Sequence, residues 1–229
     1  IAAGEVVERP SSVVKELVEN ALDAGATQIT VEIEDGGSRK IRVVDNGQGM
    51  GREDLELCIA RHATSKLAAM EDLDTLRTLG FRGEALPSIA SVSKMTVRTR
   101  QKDSIGALKL VIDGGKRSEM LEAPGPVGTE IVVNDLFFNV PARRKFLKKT
   151  ATEASHVHEW VQRIALCYPQ VALRFVRDSK TLADYPPTTD LRSRIGSVFG
   201  KKIASDLIPV MVPGQMGLDG FLGGGESAR

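Results

Sequence analysis

Between Pro10 and Asp45 the apolar residues change period once, and that change restricts the fold more than any other feature of the chain. Val14, Leu17, Val18, Ala21 and Leu22 fall at i, i+3, i+4, i+7 and i+8, the stripe of an amphipathic helix. Pro10, Ser11 and Ser12 open that helix and Gly25 closes it. Ile29, Val31 and Ile33 then alternate with polar residues, Gly36 and Gly37 turn the chain, and Lys40 to Val44 returns. The pattern predicts a helix followed by a hairpin that ends at Asp45. Opposite the stripe, Glu16, Asn20 and Asp23 lie within roughly 60° of one another at about 100° per residue. That line is either a solvated polar face or one wall of a pocket.

Farther along, residues Arg52 to Ala60 read as a helix, His62 to Leu79 as a loop with short helical pieces, and a second helix starts near Glu84. Strands are expected at Lys94 to Arg100, Ala107 to Ile112, Thr129 to Asn134 and Val171 to Arg177. Thr150 and Glu153 have capping-box spacing, and Val157, Trp160, Val161, Ile164 and Tyr168 form an apolar stripe that Pro169 ends, with Trp160 in the core. The order is α+β rather than regular βαβ. Tyr185 to Thr189 is the best linker, so residues 1–187 are read as one domain and 188–229 as the start of a truncated second one.

At 229 residues and 41% apolar, the chain can bury a sizeable core, and its net charge of +1 does not by itself announce a nucleic-acid partner. Cys58 and Cys167 sit among apolar neighbours without metal-type spacing, so buried reduced thiols in a reducing compartment are expected. No apolar run is long enough for a membrane span and no signal peptide is visible, which gives a cytosolic reading with no membrane partner. The start at Ile1 and the glycine-rich end read as those of an excised piece.

Three motifs can carry chemistry. Asn20 offers a hard oxygen to Mg²⁺, Glu16 one turn earlier can polarise a water for attack on a γ-phosphate, and Asp23 can orient its neighbours. In DNGQGM, Asp45 at a strand end can accept a hydrogen bond from an exocyclic amine such as that of adenine, and Gly47 and Gly49, just before Met50, permit close approach of backbone to a flat ring. The same residues also suit an ordinary turn. In GFRGEAL, Gly80, Phe81, Arg82, Gly83 and Glu84 run into a helix, where unpaired N–H groups can cradle a phosphate. No Walker-type loop occurs. His156 and His158 would diverge on a helix, and His62 reads as a loop residue rather than a ligand. Arg143, Arg144, Lys145, Lys148 and Lys149 suit either DNA phosphates or a solvated face.

Glu16 to Ala24, Asp45 to Gly49, Gly80 to Leu86, and Gly128 with Thr129 resemble, in order, the nucleotide-binding motifs shared by gyrase, heat-shock chaperones, histidine kinases and MutL mismatch-repair proteins. IAAGEVVERP (Ile1 to Pro10), RHATSK (Arg61 to Lys66) and NVPARRKFL (Asn139 to Leu147) are similar to MutL specifically. The resemblance implies a Bergerat-type, GHKL α/β two-layer sandwich: a mixed, mostly antiparallel sheet with helices on one face, followed by a truncated transducer domain of the ribosomal S5-like type.

It further implies an ATPase that takes ATP and Mg²⁺, with Glu16 as general base, Asn20 on the metal, Asp45 reading adenine and Thr129 assisting through water. The segment from His62 to Gly83 would be the lid, with Thr64, Ser65, Lys66, Arg82 and Gly83 near the phosphates and Met50 beside the nucleotide. Implied partners are DNA, bound non-specifically through its phosphates, a second copy of the chain on ATP binding, and mismatch-recognition and downstream repair proteins in a bacterial, nucleoid-associated cytosol. The family's second-domain lysine and N-terminal arm are not in the sequence, so nucleotide binding with poor hydrolysis is expected. The alternatives are an ATP-gated clamp or matchmaker without catalysis and, less well matched, a histidine-kinase catalytic domain.

Overall fold

The computed structural model describes residues 7–60, 84–212 and 217–223. Helix α1 (Pro10–Asp23) starts with proline in its first turn, where the missing N–H is no loss, behind the extended Arg9. It ends in a Schellman turn, Gly25 N donating to Leu22 O at 2.9 Å and Ala26 N to Ala21 O at 3.1 Å. Val13, Val14, Leu17, Val18 and Ala21 are buried, so the predicted stripe is the packing face. Strands β1 (Gln28–Glu34) and β2 (Lys40–Asp45) pair antiparallel around a 3-10 turn at Asp35–Gly37, with Ile29 opposite Asp45.

The chain continues through α2 (Arg52–Leu57), α3 (Ala85–Ser91), β3 (Lys94–Arg100), β4 (Ala107–Asp113), β5 (Lys116–Arg117), β6 (Leu121–Ala123) and β7 (Gly128–Asn134). It goes on through α4 (Pro141–Phe146), α5 (Thr150–Cys167), β8 (Ala172–Arg177) and β9 (Lys180–Tyr185). Among the described residues these strands form one sheet in the order β5-β4-β3-β7-β2-β1-β8-β9, with β6 beside β4. All the pairs are antiparallel except β1 with β8, the mixed sheet that the resemblance implies.

Side chains alternate across a strand, so residues aligned across neighbouring strands make rungs on one face. Two rungs of the covered face are apolar and buried: Met95, Val133 and Ile41, then Val97, Ile131 and Val43. Helices α1 and α5 contact each other, α1 lying against β1 and β2 and α5 against β8. The opposite face carries a charge ladder. Arg42 bonds Glu32 and Glu130, both at 2.7 Å, and Arg98 pairs with Glu130 at 3.1 Å.

Three expectations need correcting. The capping box at Thr150 and Glu153 does not form. Thr150 is already inside the helix and gives its hydroxyl to Asp35 Oδ1 at 2.8 Å, while Glu153 Oε1 accepts from Lys148 N at 2.8 Å. The buried face of α5 is rotated toward Glu153, Ala154, Val157, Val161 and Ala165, where small alanines allow close approach, leaving Trp160, Ile164 and Tyr168 only partly buried. Cys167 is exposed at the end of α5, whereas Cys58 is half-buried and burial pushes its thiol up to about 12; both are free.

Beyond the expected linker come α6 (Leu191–Phe199), α7 (Lys201–Ser205) and the hairpin β10 (Leu207–Val212) and β11 (Leu218–Gly223). Asp190 caps α6, accepting from Arg192 N at 3.0 Å and Ser193 N at 3.1 Å. From this helix Arg194 reaches back to the ends of β8 and β9. It is 1% exposed, and its Nη2 lies 2.6, 3.1 and 2.9 Å from the carbonyl oxygens of Pro169, Val171 and Pro186. Its guanidinium covers the Tyr185 ring at 5.6 Å. Arg194→Ala removes these bonds and leaves a cavity, so chemical denaturation should show a loss of about 3 kcal/mol.

Candidate functional site

The apolar rungs are followed by a polar one. Asp45, Thr129 and Thr99 are aligned across β2, β7 and β3, on the face that buries Val43, Ile131 and Val97 in the rung before. Asp45 Oδ1 accepts from Gly47 N at 2.8 Å and Thr129 N at 3.3 Å, and no donor lies on Oδ2 among the described residues. Burial pushes the Asp45 carboxyl above its ordinary value against the opposing pull of these two donors. A half-buried carboxylate with one oxygen held and the other available is suited to accept an N–H from a ligand.

The turn after Asp45 is tied down at Asn46, Gly47, Gln48 and Met50. Asn46 Oδ1 accepts from Thr27 N at 2.9 Å and Gln28 N at 2.8 Å, Gln48 N donates to Ala24 O at 3.0 Å, and Met50 N donates to Thr99 Oγ1 at 2.8 Å. The Ala24 bond joins the turn to the end of α1, so the polar line of that helix and the carboxylate of β2 belong to one region. Gly49 has φ +68° and a Cβ there would overlap the Arg100 carbonyl; Gly128, at φ +116°, would overlap the Asp45 carbonyl in the same way. Only glycine lets the turn approach the end of β3, and β7 approach the end of β2, this closely.

On α1, Glu16, Asn20 and Asp23 are half-buried. Lys15 Nζ lies 3.4 Å from Glu16 and 3.5 Å from Glu19. Partial burial works against the Lys15 charge, but the two carboxylates outweigh it and hold the ammonium above its ordinary pKa; burial also raises that of Glu19. No cluster of three or more His, Cys, Asp and Glu able to hold a metal occurs among the described residues. Mg²⁺ needs no such cluster, because it takes one or two protein oxygens and keeps its other positions for water and phosphate. Asn20, on the half-buried polar line of α1, carries a side-chain oxygen of this kind.

Glu84 is the N-cap of α3, and its carbonyl accepts from Ser88 N at 3.0 Å. Thr64, Ser65, Lys66, Gly80, Phe81, Arg82 and Gly83 lie outside the described residues, as does His62. The structure thus brings together Asp45, Gly47, Gly49, Met50 and Thr129 and links them through Ala24 to α1. It adds two residues that the sequence reading missed, Thr99 and Asn46. Asn46 carried a signal as a turn residue. Thr99 carried none beyond its place at the inward-facing end of a strand.

A mixed sheet covered by helices on one face, with a carboxylate ending one strand and a glycine turn bonded to the first helix, is the arrangement expected of a Bergerat-type nucleotide-binding fold. Residues 8–134 match the family described as histidine kinase-, DNA gyrase B-, and HSP90-like ATPase. The chain is 52% identical over 218 residues to the DNA mismatch repair protein MutL of Syntrophotalea carbinolica, covering 95% of this chain and 35% of that protein. It is 50% identical over 230 residues to MutL of Geotalea daltonii, covering 38% of it. The ADP complex of the Aquifex aeolicus MutL ATPase domain superposes with a TM-score of 0.72 at 35% identity, over 90% of this chain and 73% of that one. The chain belongs to the MutL family, as an ATPase domain of the GHKL type, and spans a little over a third of the length of these curated relatives.

The raised pKa of Asp45 gives a prediction with a definite sign. The folded state favours its protonated form, so its stabilisation is complete below the unfolded pKa and is lost as pH rises through the folded value. At neutral pH the charge therefore burdens the ligand-free fold. Asp45→Asn should leave the melting temperature equal or higher while weakening ATP binding more than about tenfold. In the unsubstituted chain, ATP affinity should fall as pH drops into the range where Asp45 protonates, which nucleotide titrations across pH would measure.

Proposed function

We propose that this chain binds Mg²⁺ and ATP and hydrolyses the ATP slowly, as the nucleotide switch of a DNA mismatch-repair protein. Asp45 Oδ2 accepts from the adenine amine, Thr129 assists through water, and Gly47, Gly49 and Met50 bring the turn against the base. Asn20 holds Mg²⁺, which when bound supplies charge neutralisation to the phosphates. Glu16 takes the proton of the attacking water, and Asp23 orients this helix face. Thr64, Ser65, Lys66 and the run from Gly80 to Gly83 close over the phosphates as a lid. The polar rung of Asp45, Thr129 and Thr99 supports this reading above all, because a folding core has no use for it.

In the whole protein, ordering of the lid drives closure of two copies around DNA, and hydrolysis resets them. Mismatch-recognition and downstream repair proteins read that state in the bacterial cytosol. Among the described residues no helix is long and apolar enough to cross a membrane. Helix α4 supports a DNA role: it buries none of its residues, carries Arg143, Arg144 and Lys145, and leaves Phe146 83% exposed. Lys148 and Lys149 follow directly.

One observation favours a second reading, an ATP-gated clamp without meaningful catalysis: Lys15 engages the Glu16 carboxylate that must receive the proton. Glu16→Ala separates the two. On the first reading it leaves equilibrium ATP binding intact and lowers turnover by roughly a hundredfold or more; on the second it changes neither. For DNA, Arg144→Glu with Lys148→Glu should lower the slope of log affinity against log salt by about 0.9 for each phosphate that the protein no longer neutralises. An unchanged slope removes α4 from the interface.

A further inference from the structure

Thr99 is 1% exposed, and its hydroxyl is the hinge of the polar rung. Oγ1 accepts from Met50 N at 2.8 Å and has a single proton to give. Two acceptors compete for it, the Gly128 carbonyl at 3.2 Å and Thr129 Oγ1 at 3.1 Å. If the proton goes to Gly128, Thr129 is free to turn its own proton back onto Thr99 and show only lone pairs to a ligand. If it goes to Thr129, the Thr129 proton is left to point at the ligand, directly or through a water.

The two orientations suit different bases. Adenine offers a donor at its 6-amino group and an acceptor at N1, whereas hypoxanthine and guanine offer an acceptor at position 6 and a donor at N1. Asp45 can only accept when ionised, so it matches the amine, and the adjoining position matches adenine only if Thr129 donates. We propose that Thr99 is a positioning residue for base selection. The chain Met50 N–H to Thr99 O–H to Thr129 O–H runs in one direction and holds the Thr129 proton toward N1. This rests on the reading of Asp45 as the adenine acceptor.

The test compares equilibrium binding of ATP and inosine triphosphate in the chain as it stands and in Thr99→Val, Thr99→Ser, Thr129→Val and Asp45→Asn. Thr99→Val should reduce the preference for ATP over inosine triphosphate by roughly tenfold, the worth of about one hydrogen bond, and Thr99→Ser should restore the preference. Weaker binding of both nucleotides at an unchanged ratio would mean that Thr99 only supports the fold, and would overturn the proposal. Should Thr99→Val not fold, Thr129→Val decides, because it removes the last donor while leaving the Met50 bond in place; an unchanged ratio there also overturns it. If Asp45→Asn keeps full ATP binding and the full preference, the Asp45 reading itself has failed. If Asp45→Asn loses them while Thr99→Val keeps the ratio, only the role of Thr99 has failed.

Discussion

A single carboxylate oxygen, Asp45 Oδ1, joins the parts of the molecule that the site requires. It receives Gly47 N from the turn that follows β2 and Thr129 N from the neighbouring strand. Withdrawing it would leave two backbone donors without their acceptor beside a core where water is scarce, a loss larger than the net worth of either bond. The turn held this way hands its next N–H groups to Ala24 and Thr99, which brings the end of α1 and the end of β3 to the same corner. Glycines at 49 and 128 are the steric condition for that convergence.

Stability and function pull against each other here. The covered face could have continued with a third apolar rung; it ends instead in a carboxylate and two hydroxyls. The carboxylate resists ionisation because it is partly buried, yet it is the ionised form that accepts two N–H groups inside the protein and can accept a third from a ligand. On α1 the same tension recurs. Glu19 is pushed up by burial, and Lys15 bridges Glu16 and Glu19 so that acidic side chains can share one helix face. Polar groups held at this expense in an otherwise well-packed domain are where ligand chemistry is concentrated.

The elements that were legible were those whose apolar spacing agreed with their final packing. The stripe of α1 became its buried face, and Ile29, Val31 and Ile33 turned inward as alternation required. Strands β5, β6 and β9 were not legible. They are short or mostly exposed, and they exist because a neighbouring strand offers an edge to pair with. Thr150 and Glu153 had the spacing of a capping box, but Asp35 and Lys148 N, brought near by the fold, took their hydrogen-bonding groups. On α5, Val157 and Val161 of the expected stripe are buried, but Glu153, Ala154 and Ala165 complete the buried face, while Trp160, Ile164 and Tyr168 pack at its margin.

Of the site, the sequence alone determined the parts that depend on neighbours a few residues away: a polar line on one helix, a carboxylate at a strand end, and glycines in the following turn. Helix and strand periods are local properties, so they survive without knowledge of the fold. What only the tertiary structure decided was which of those parts share a corner and what completes them. Thr99 lies 30 positions before Thr129 and meets it because antiparallel pairing sets them opposite each other. Arg194 finds its three carbonyls from beyond the linker for a similar reason. Hydrogen bonds of this kind are specified by strand register and helix docking, which no window along the chain contains.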